Sequence, residues 1–265
     1  MPNFLLTFSF ILGALIGSFL NVVALRYNTG MTLRGRSKCF SCGKNLEWHE
    51  LVPIFSFLFQ KGKCKKCKSK ISWQYPVVEI LAGFIFLMIF YIFPPISIES
   101  AFETLFYILI TCLLLVISIY DIRHKIIPDG LSYFFSFLAL SHIFISPSLS
   151  FVVPNWLDIL SGPILAMPFA LLWLMSRGTW MGFGDAKLAL GIGWLLGVND
   201  GISAIILAFW IGAVLSLIWI YVVFRKMKLR YEIPFGPYLI LGMYIVLLFG
   251  IKVIDIEPFL EYLNI

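Results

Sequence analysis

Hydrophobic positions in this chain neither alternate nor recur every three or four residues. They run on for about 20 residues at a time, the length that crosses roughly 30 Å of hydrocarbon, and are separated by short polar clusters. Eight such runs occur, at about 4–25, 77–96, 102–120, 131–148, 155–176, 186–199, 201–224 and 236–252. The pattern predicts an all-α polytopic membrane protein of about eight transmembrane helices. The sixth run is short and Gly-rich, so its ends are the least defined. No Lys or Arg precedes the first run and no small-residue cleavage site follows it. Gly17, Asn21 and Arg26 punctuate a full-length span, which predicts a retained helix rather than a signal peptide.

Composition agrees. The chain is 60% hydrophobic and 13% charged, with a mean hydropathy of +0.95, far from the quarter-charged average of soluble domains. Its net charge of +6 could suggest nucleic acid, but the placement of the basic residues argues against that. Eleven of the 20 Lys and Arg lie between Arg26 and Lys70. Arg123, Lys125, Arg177, Lys187 and the four basic residues within 225–230 follow or open later spans on the same side. Only Lys252 falls on the other side, with Glu99, Glu103, Asp200, Asp255, Glu257 and Glu261. A split of 19 to one predicts basic loops in the cytoplasm and both termini outside, with anionic membrane lipids as secondary contacts.

The predicted organisation is a first span (1–25), a cytoplasmic loop domain (26–73), seven further spans (77–252) and a short extracytoplasmic tail (253–265). The loop carries CFSC and CKKC, so Cys39, Cys42, Cys64 and Cys67 form two CxxC knuckles with 21 residues between them. Each such turn presents two sulfurs to one ion, and four thiolates suit tetrahedral zinc. A reducing cytoplasm disfavours structural disulfides, and a redox CxxC usually occurs singly within a βαβ unit. A loop this short has too little apolar content to fold alone, so a metal staple fits its size. The surrounding lysines would favour the thiolate form. Cys112, inside an apolar span, reads as packing. His49 is a spare ligand beside four cysteines that already complete a shell.

Few acids occur near the cytoplasmic ends of the spans. Asp121 and Asp129 bracket DIRHKIIPD, Asp185 lies in GFGDAK, and Glu79 lies in YPVVEIL. Asp129, between Pro128 and Gly130, reads as a turn or an N-cap of the fourth span. Asp185 has a similar capping reading, Asp121 a local pairing with Arg123 or His124, and Glu79 a helix-dipole role in a first turn. Asp121 and Asp185, however, sit at one membrane edge on separate helices and can converge. Gly182 and Gly184 let the backbone before Asp185 turn sharply and approach another segment closely. Two facing carboxylates at low dielectric cannot both ionise; one then takes a proton from water while the other gives one to a carbonyl oxygen. The same acids would also suit ion or proton transport. A transporter should show internal repeats with paired broken helices at mid-membrane, and none is evident. A zinc-bearing membrane scaffold would need neither aspartate.

The ordered set of GSFLNVVALR (Gly17 to Arg26), the two CxxC knuckles, WQYPVVEIL, DIRHKIIPD and GFGDAK resembles the type IV prepilin peptidase family, membrane aspartic proteases of the GxGD class. The resemblance spans nearly the whole chain. It implies Asp121 and Asp185 as the catalytic pair, 64 positions apart, with Asp129 outside it. It implies the four cysteines of bifunctional members at Cys39, Cys42, Cys64 and Cys67. Such members remove the short basic leader from type IV prepilins and pseudopilins, then N-methylate the new terminus with S-adenosylmethionine. They reside in the bacterial inner membrane, their active site at the cytoplasmic face. CFSC departs from the family in lacking a Pro after its first Cys, which leaves the metal chemistry intact because Pro only stiffens the turn. Lys187 would lie near the pair, either holding its charge or, as preferred here, snorkelling. No glycine-rich Rossmann loop occurs, so a methyl-donor site must be built from the loop and helix ends, with Asn21, Arg26 and Glu79 the nearest candidates. The alternative within the family is a peptidase without methyltransferase activity.

Overall fold

The computed structural model describes residues 3–30, 32, 35–145, 150–223 and 233–255. The basic cluster within 225–230, the end of the predicted fourth span and most of the tail, with Glu257 and Glu261, lie outside the described residues. Among the described residues eight α-helices follow one another: α1 (Asn3–Arg26), α2 (Phe55–Phe59), α3 (Gln74–Ile92), α4 (Ile98–His124), α5 (Asp129–Ile143), α6 (Trp156–Ser176), α7 (Phe183–Val223) and α8 (Gly236–Phe249). Among the described residues, α1, α3, α4, α6 and α7 are long and apolar enough to cross a membrane. The chain is a multi-pass membrane protein. It divides into two compact units, Met1–Val116 and Ile117–Ile265, with the boundary inside α4.

In the first unit α1 and α3 lie antiparallel. Lipid tails are as apolar as a leucine, so helices in a membrane gain by close backbone approach at small residues rather than by hydrophobic burial. Ser9, Gly13, Gly17 and Asn21 form such a stripe on α1, four residues apart and buried. A methyl group at Gly13 would lie 2.5 Å from the Ala82 carbonyl oxygen, and one at Gly17 would lie 2.7 Å from Ala82 Cβ. Deeper along the pair, Phe10 meets Gly83 and Phe84. The loop between α1 and α3 contains the short α2.

In the second unit α7 is not one rod. A straight helix of 41 residues would measure about 60 Å, twice the hydrocarbon thickness. At Gly197 the backbone leaves helical geometry (φ 77°, ψ −176°), in a region open only to glycine. The contacts of α6 show a reversal there. Its Trp173 meets Phe183 and its Gly162 meets Leu190 and Trp194, an antiparallel run. Its Leu165 meets Gly201 and its Phe169 stacks on Phe209, a parallel run. The two arms of α7 therefore form a hairpin around this turn. α5 lies beside the first arm, where Phe135 fills the space over Gly191 and the Ser136 hydroxyl donates to the Lys187 carbonyl at 3.2 Å. α8 lies antiparallel to the second arm, with Gly242 against Ala204 and Ala208, and Tyr238 against Gly212. The expected break between the sixth and seventh runs was residues 199–201; it falls at Gly197, and the helix starts at Phe183 rather than 186.

Candidate active site and metal centre

The two CxxC turns of the first unit are built alike. In the first, the Cys39 N–H donates to the Lys44 carbonyl and the Gly43 N–H donates back to the Cys39 carbonyl, both at 2.9 Å. In the second, Cys64 and Ser69, then Lys68 and Cys64, make the same pair of bonds at 2.9 Å. The residue after each second cysteine is left-handed, Gly43 at φ 68° and Lys68 at φ 60°. These turns bring the sulfurs of Cys39, Cys42, Cys64 and Cys67 within 4.8 Å of one another. Cys39 and Cys67 lie 3.8 Å apart. A tetrahedron of sulfurs at about 2.3 Å from zinc has edges of about 3.8 Å, so the cluster is compatible with that ion.

Electrostatics point the same way. The backbone N–H groups of Cys42 and Ser41 bring the Cys39 thiol down to about 6, and the Ser69 hydroxyl and N–H lower that of Cys67. Cys42 has the Lys44 N–H to favour its thiolate, yet loss of water and the adjacent sulfurs of Cys39 and Cys67 push it up to about 11. Four neighbouring thiolates repel unless a cation sits among them. His49 takes no part; its Nδ1 lies 3.5 Å from Glu47. Cys112 sits apart in α4. Beneath the first knuckle the buried Glu50 accepts from the Glu47 N–H at 3.0 Å and pairs with Lys44 at 3.0 Å. The Glu47 N–H, followed by Lys44, holds the Glu50 carboxyl below the usual range.

The other polar candidates of this unit have structural partners. Glu79 is the sixth residue of α3, not a first-turn acid, and its Oε2 accepts the Ile54 N–H at 2.7 Å. Ile54 has φ 62°, costly for a β-branched residue, so the buried carboxylate pins a strained entry to α2. Asn21 is fully buried and receives the Gln74 amide at 3.1 Å, while Arg26 donates to the Thr32 carbonyl at 2.9 Å.

In the second unit Asp121 and Asp185 are both buried, at 4% and 7% exposure. Asp121 occupies the last turn of α4, closed by the Lys125 N–H donating to its carbonyl at 2.7 Å. Asp185 is the third residue of α7. The side chain of Ile127 packs on the start of α7 and the start of α8. It would lie 2.7 Å from a Cβ at Gly184 and 3.2 Å from one at Gly236, the first residue of α8. The Gly236 N–H donates to Asp121 Oδ2 at 3.1 Å. Ile127 thus packs on the residue before Asp185 and on the residue whose N–H reaches Asp121.

Three expectations change here. Gly184, not Gly182, carries the constraint, and the constraint is close approach rather than a sharp turn. Neither glycine has positive φ, and a methyl group at Gly182 would meet nothing nearer than the Gly184 nitrogen at 3.9 Å. Asp129 caps nothing: Pro128 is the N-cap of α5, and the Asp129 carboxylate binds Lys187 at 2.6 Å. Lys187 does not snorkel. Its side chain is 10% exposed, and its ammonium lies 4.9 Å from the ring centre of Tyr133 and 5.2 Å from that of Phe183.

Comparison with known proteins places the chain. The model of the bacterial peptidase A24 N-terminal domain matches residues 11–93, and that of the type IV leader peptidase family matches residues 108–217. A prepilin leader peptidase/N-methyltransferase of Bacillus subtilis (strain 168) is 33% identical over 254 residues, covering 95% of this chain and 97% of that one. This chain belongs to the type IV leader peptidase family. Proteins of the same name from Xanthomonas campestris pv. campestris and Vibrio cholerae serotype O1 are 29% and 28% identical. The first match covers 92% of this chain and 91% of the relative, the second 94% and 98%. No solved structure matches. Both CxxC knuckles and the Glu79 pin fall within the first matched segment; Asp121, Ile127 and Asp185 fall within the second. Gly236 lies beyond both, and sequence reasoning passed over it; the Gly-Pro pair opening the last apolar run was its only signal.

The glycine difference is measurable. Gly184→Ala should lower stability by about 1–3 kcal/mol, because the added methyl meets the branched Cβ of Ile127 rather than a flexible chain end. Gly182→Ala should leave the thermal unfolding midpoint near that of the wild type. Equal midpoints for the two variants would remove the Ile127 contact as a constraint.

Proposed function

We propose that this chain is an aspartic endopeptidase that cuts the leader from prepilins and pseudopilins and N-methylates the new terminus, with Asp121 and Asp185 as the catalytic pair. The observation that supports the assignment is that both are buried on separate helices, while Ile127 packs on the residue before Asp185 and on the donor to Asp121. One carboxylate accepts a proton as water adds to the scissile carbonyl carbon, and the other donates one to the carbonyl oxygen. The accepted proton then passes to the amide nitrogen as the carbon–nitrogen bond breaks. Burial excludes competing water and strengthens both proton transfers.

The same reading takes eight spans: α1, α3, α4, α5, α6, the two arms of α7, and α8. Both termini lie outside the inner membrane, and the α1–α3 loop (26–73) and the dyad face the cytoplasm. The 19-to-one distribution of basic residues supports this orientation, and the alternating helix directions of the second unit support the count. A prepilin with a basic leader held in the cytoplasm and an apolar stem in the bilayer presents its scissile bond at that edge.

Cys39, Cys42, Cys64 and Cys67 hold structural zinc, which fixes the two knuckles together. S-adenosylmethionine, when bound, would supply an electrophilic methyl group; the new α-amine accepts it in its uncharged form, a thioether leaves and the amine sheds a proton. An α-amino pKa near 8 leaves roughly a tenth of termini uncharged at pH 7, so no strong base is required.

Three measurements test these assignments. Asp121→Asn and Asp185→Asn should each abolish leader removal in co-expression with a prepilin, whereas Asp129→Asn keeps most of it, since its carboxylate is 68% exposed and its ion pair contributes little. Wild-type cleavage in either of the first two variants rejects the dyad. Elemental analysis should find one zinc per chain and none in a Cys39→Ser/Cys64→Ser double variant. Acidification should release the ion, because protons compete with it for the thiolates. Finally, mass spectrometry of the cut product should show a gain of about 14 Da, a CH₃ in place of an H, at a terminus with the ordinary α-amino pKa. Asp185→Asn should block cleavage yet still methylate a pre-cleaved pilin peptide. Product that is cut but never gains that mass, with the methyl donor present, makes the chain a peptidase only.

A further inference from the structure

The donor that reaches Asp121 comes from 115 positions further along the chain. Gly236 opens α8, and its N–H is one of the first-turn amides that no helical carbonyl can satisfy and that carry the positive end of the helix dipole. Here that amide donates to Oδ2 of Asp121 at 3.1 Å. The position must also be bare, because a Cβ at 236 would stand 2.7 Å from the same oxygen. Pro237 follows, compatible with the start of a helix and without an N–H of its own. On the other side Phe235 packs on Phe169 and Phe209, with ring centres at 6.2 and 4.8 Å. The amide is thus held by a packed turn rather than by a loose loop.

We propose that Gly236 is a positioning residue for the cleavage reaction, and that its N–H fixes the division of labour within the dyad. An oxygen that accepts an N–H at a helix N-terminus is favoured in its charged form. Asp121 therefore holds the negative charge and takes the proton from water, and Asp185 holds the shared proton and gives it to the carbonyl oxygen. Water's oxygen bonds to the carbonyl carbon, leaving Asp121 protonated and Asp185 charged. In the second step Asp121 returns its proton to the leaving nitrogen as the carbon–nitrogen bond breaks, and Asp185 recovers one from the tetrahedral hydroxyl. Both groups then stand as they began, and the products are a carboxylic acid and an amine. The assignment rests on the Asp121–Asp185 reading above and deepens it.

The test uses the full-length protein in lipid nanodiscs and a prepilin substrate. Gly236→Ala should lower kcat on the order of 100-fold with KM within about twofold, since misplacement of a catalytic group by an ångström costs about that much. Ile127→Val on that background removes the Cδ1 atom that lies 3.2 Å from the new methyl. If this second change restores kcat, the defect was packing and the proposal is overturned; continued loss supports it. A second variant deletes the donor without adding a side chain: glycolic acid at position 236, introduced by nonsense suppression, replaces the amide by an ester of the same shape, and thermal unfolding checks that the weaker Phe235 carbonyl still accepts from Tyr238 and Leu239. It should also lower kcat with KM kept, and it remains informative if Gly236→Ala unfolds. Asp121→Asn is assayed alongside. Inactive Asp121→Asn beside a fully active ester variant rejects the role of Gly236 alone, whereas active Asp121→Asn rejects the dyad itself.

Discussion

A carboxylate buried in a membrane protein persists only where something other than bulk water satisfies it, and for Asp121 that condition is met by the bare backbone of Gly236. Ile127 occupies the space where side chains at 184 and 236 would be. That fit lets the start of α7 and the start of α8 close in on the end of α4. Placing a methyl group on either glycine would move a carboxylate or its donor. The chemistry thus depends on a steric vacancy at two positions as much as on the acids.

Hydropathy and motif spacing made much of this legible. Runs of about 20 apolar residues located the helices because each span satisfies its own backbone hydrogen bonds and must therefore announce itself locally. The four cysteines were legible for the same reason: two sulfurs per tight turn is a local property, and the turns are stitched by bonds reaching no further than five residues. The acids could be picked out because charge is rare in such a chain.

What escaped was non-local or negative in character. Nothing near Gly236 says that its amide meets a carboxylate 115 positions earlier. The partner of Lys187 is 58 positions away, and an exposed Asp beside Pro-Gly-type turn residues looks like a cap from sequence alone. Gly182 and Gly184 are indistinguishable as letters; only the proximity of Ile127 separates them. The turn at Gly197 was legible only to within a few residues, because Asn199, Asp200 and Gly201 are the stronger break signals and draw the run boundary past the residue whose dihedral angles carry the turn.

That turn has a consequence in parity. From Asp121 the chain traverses α5, α6 and the two arms of α7 before α8 begins. Four traverses, an even number, bring it back to the end from which it left. Were α7 a single unbroken rod, the number would be three, and Gly236 would start α8 at the far end from the carboxylate it serves. A single residue with φ 77° therefore decides on which side a helix begins nearly forty residues later, an arithmetic of crossings in which no side chain takes part.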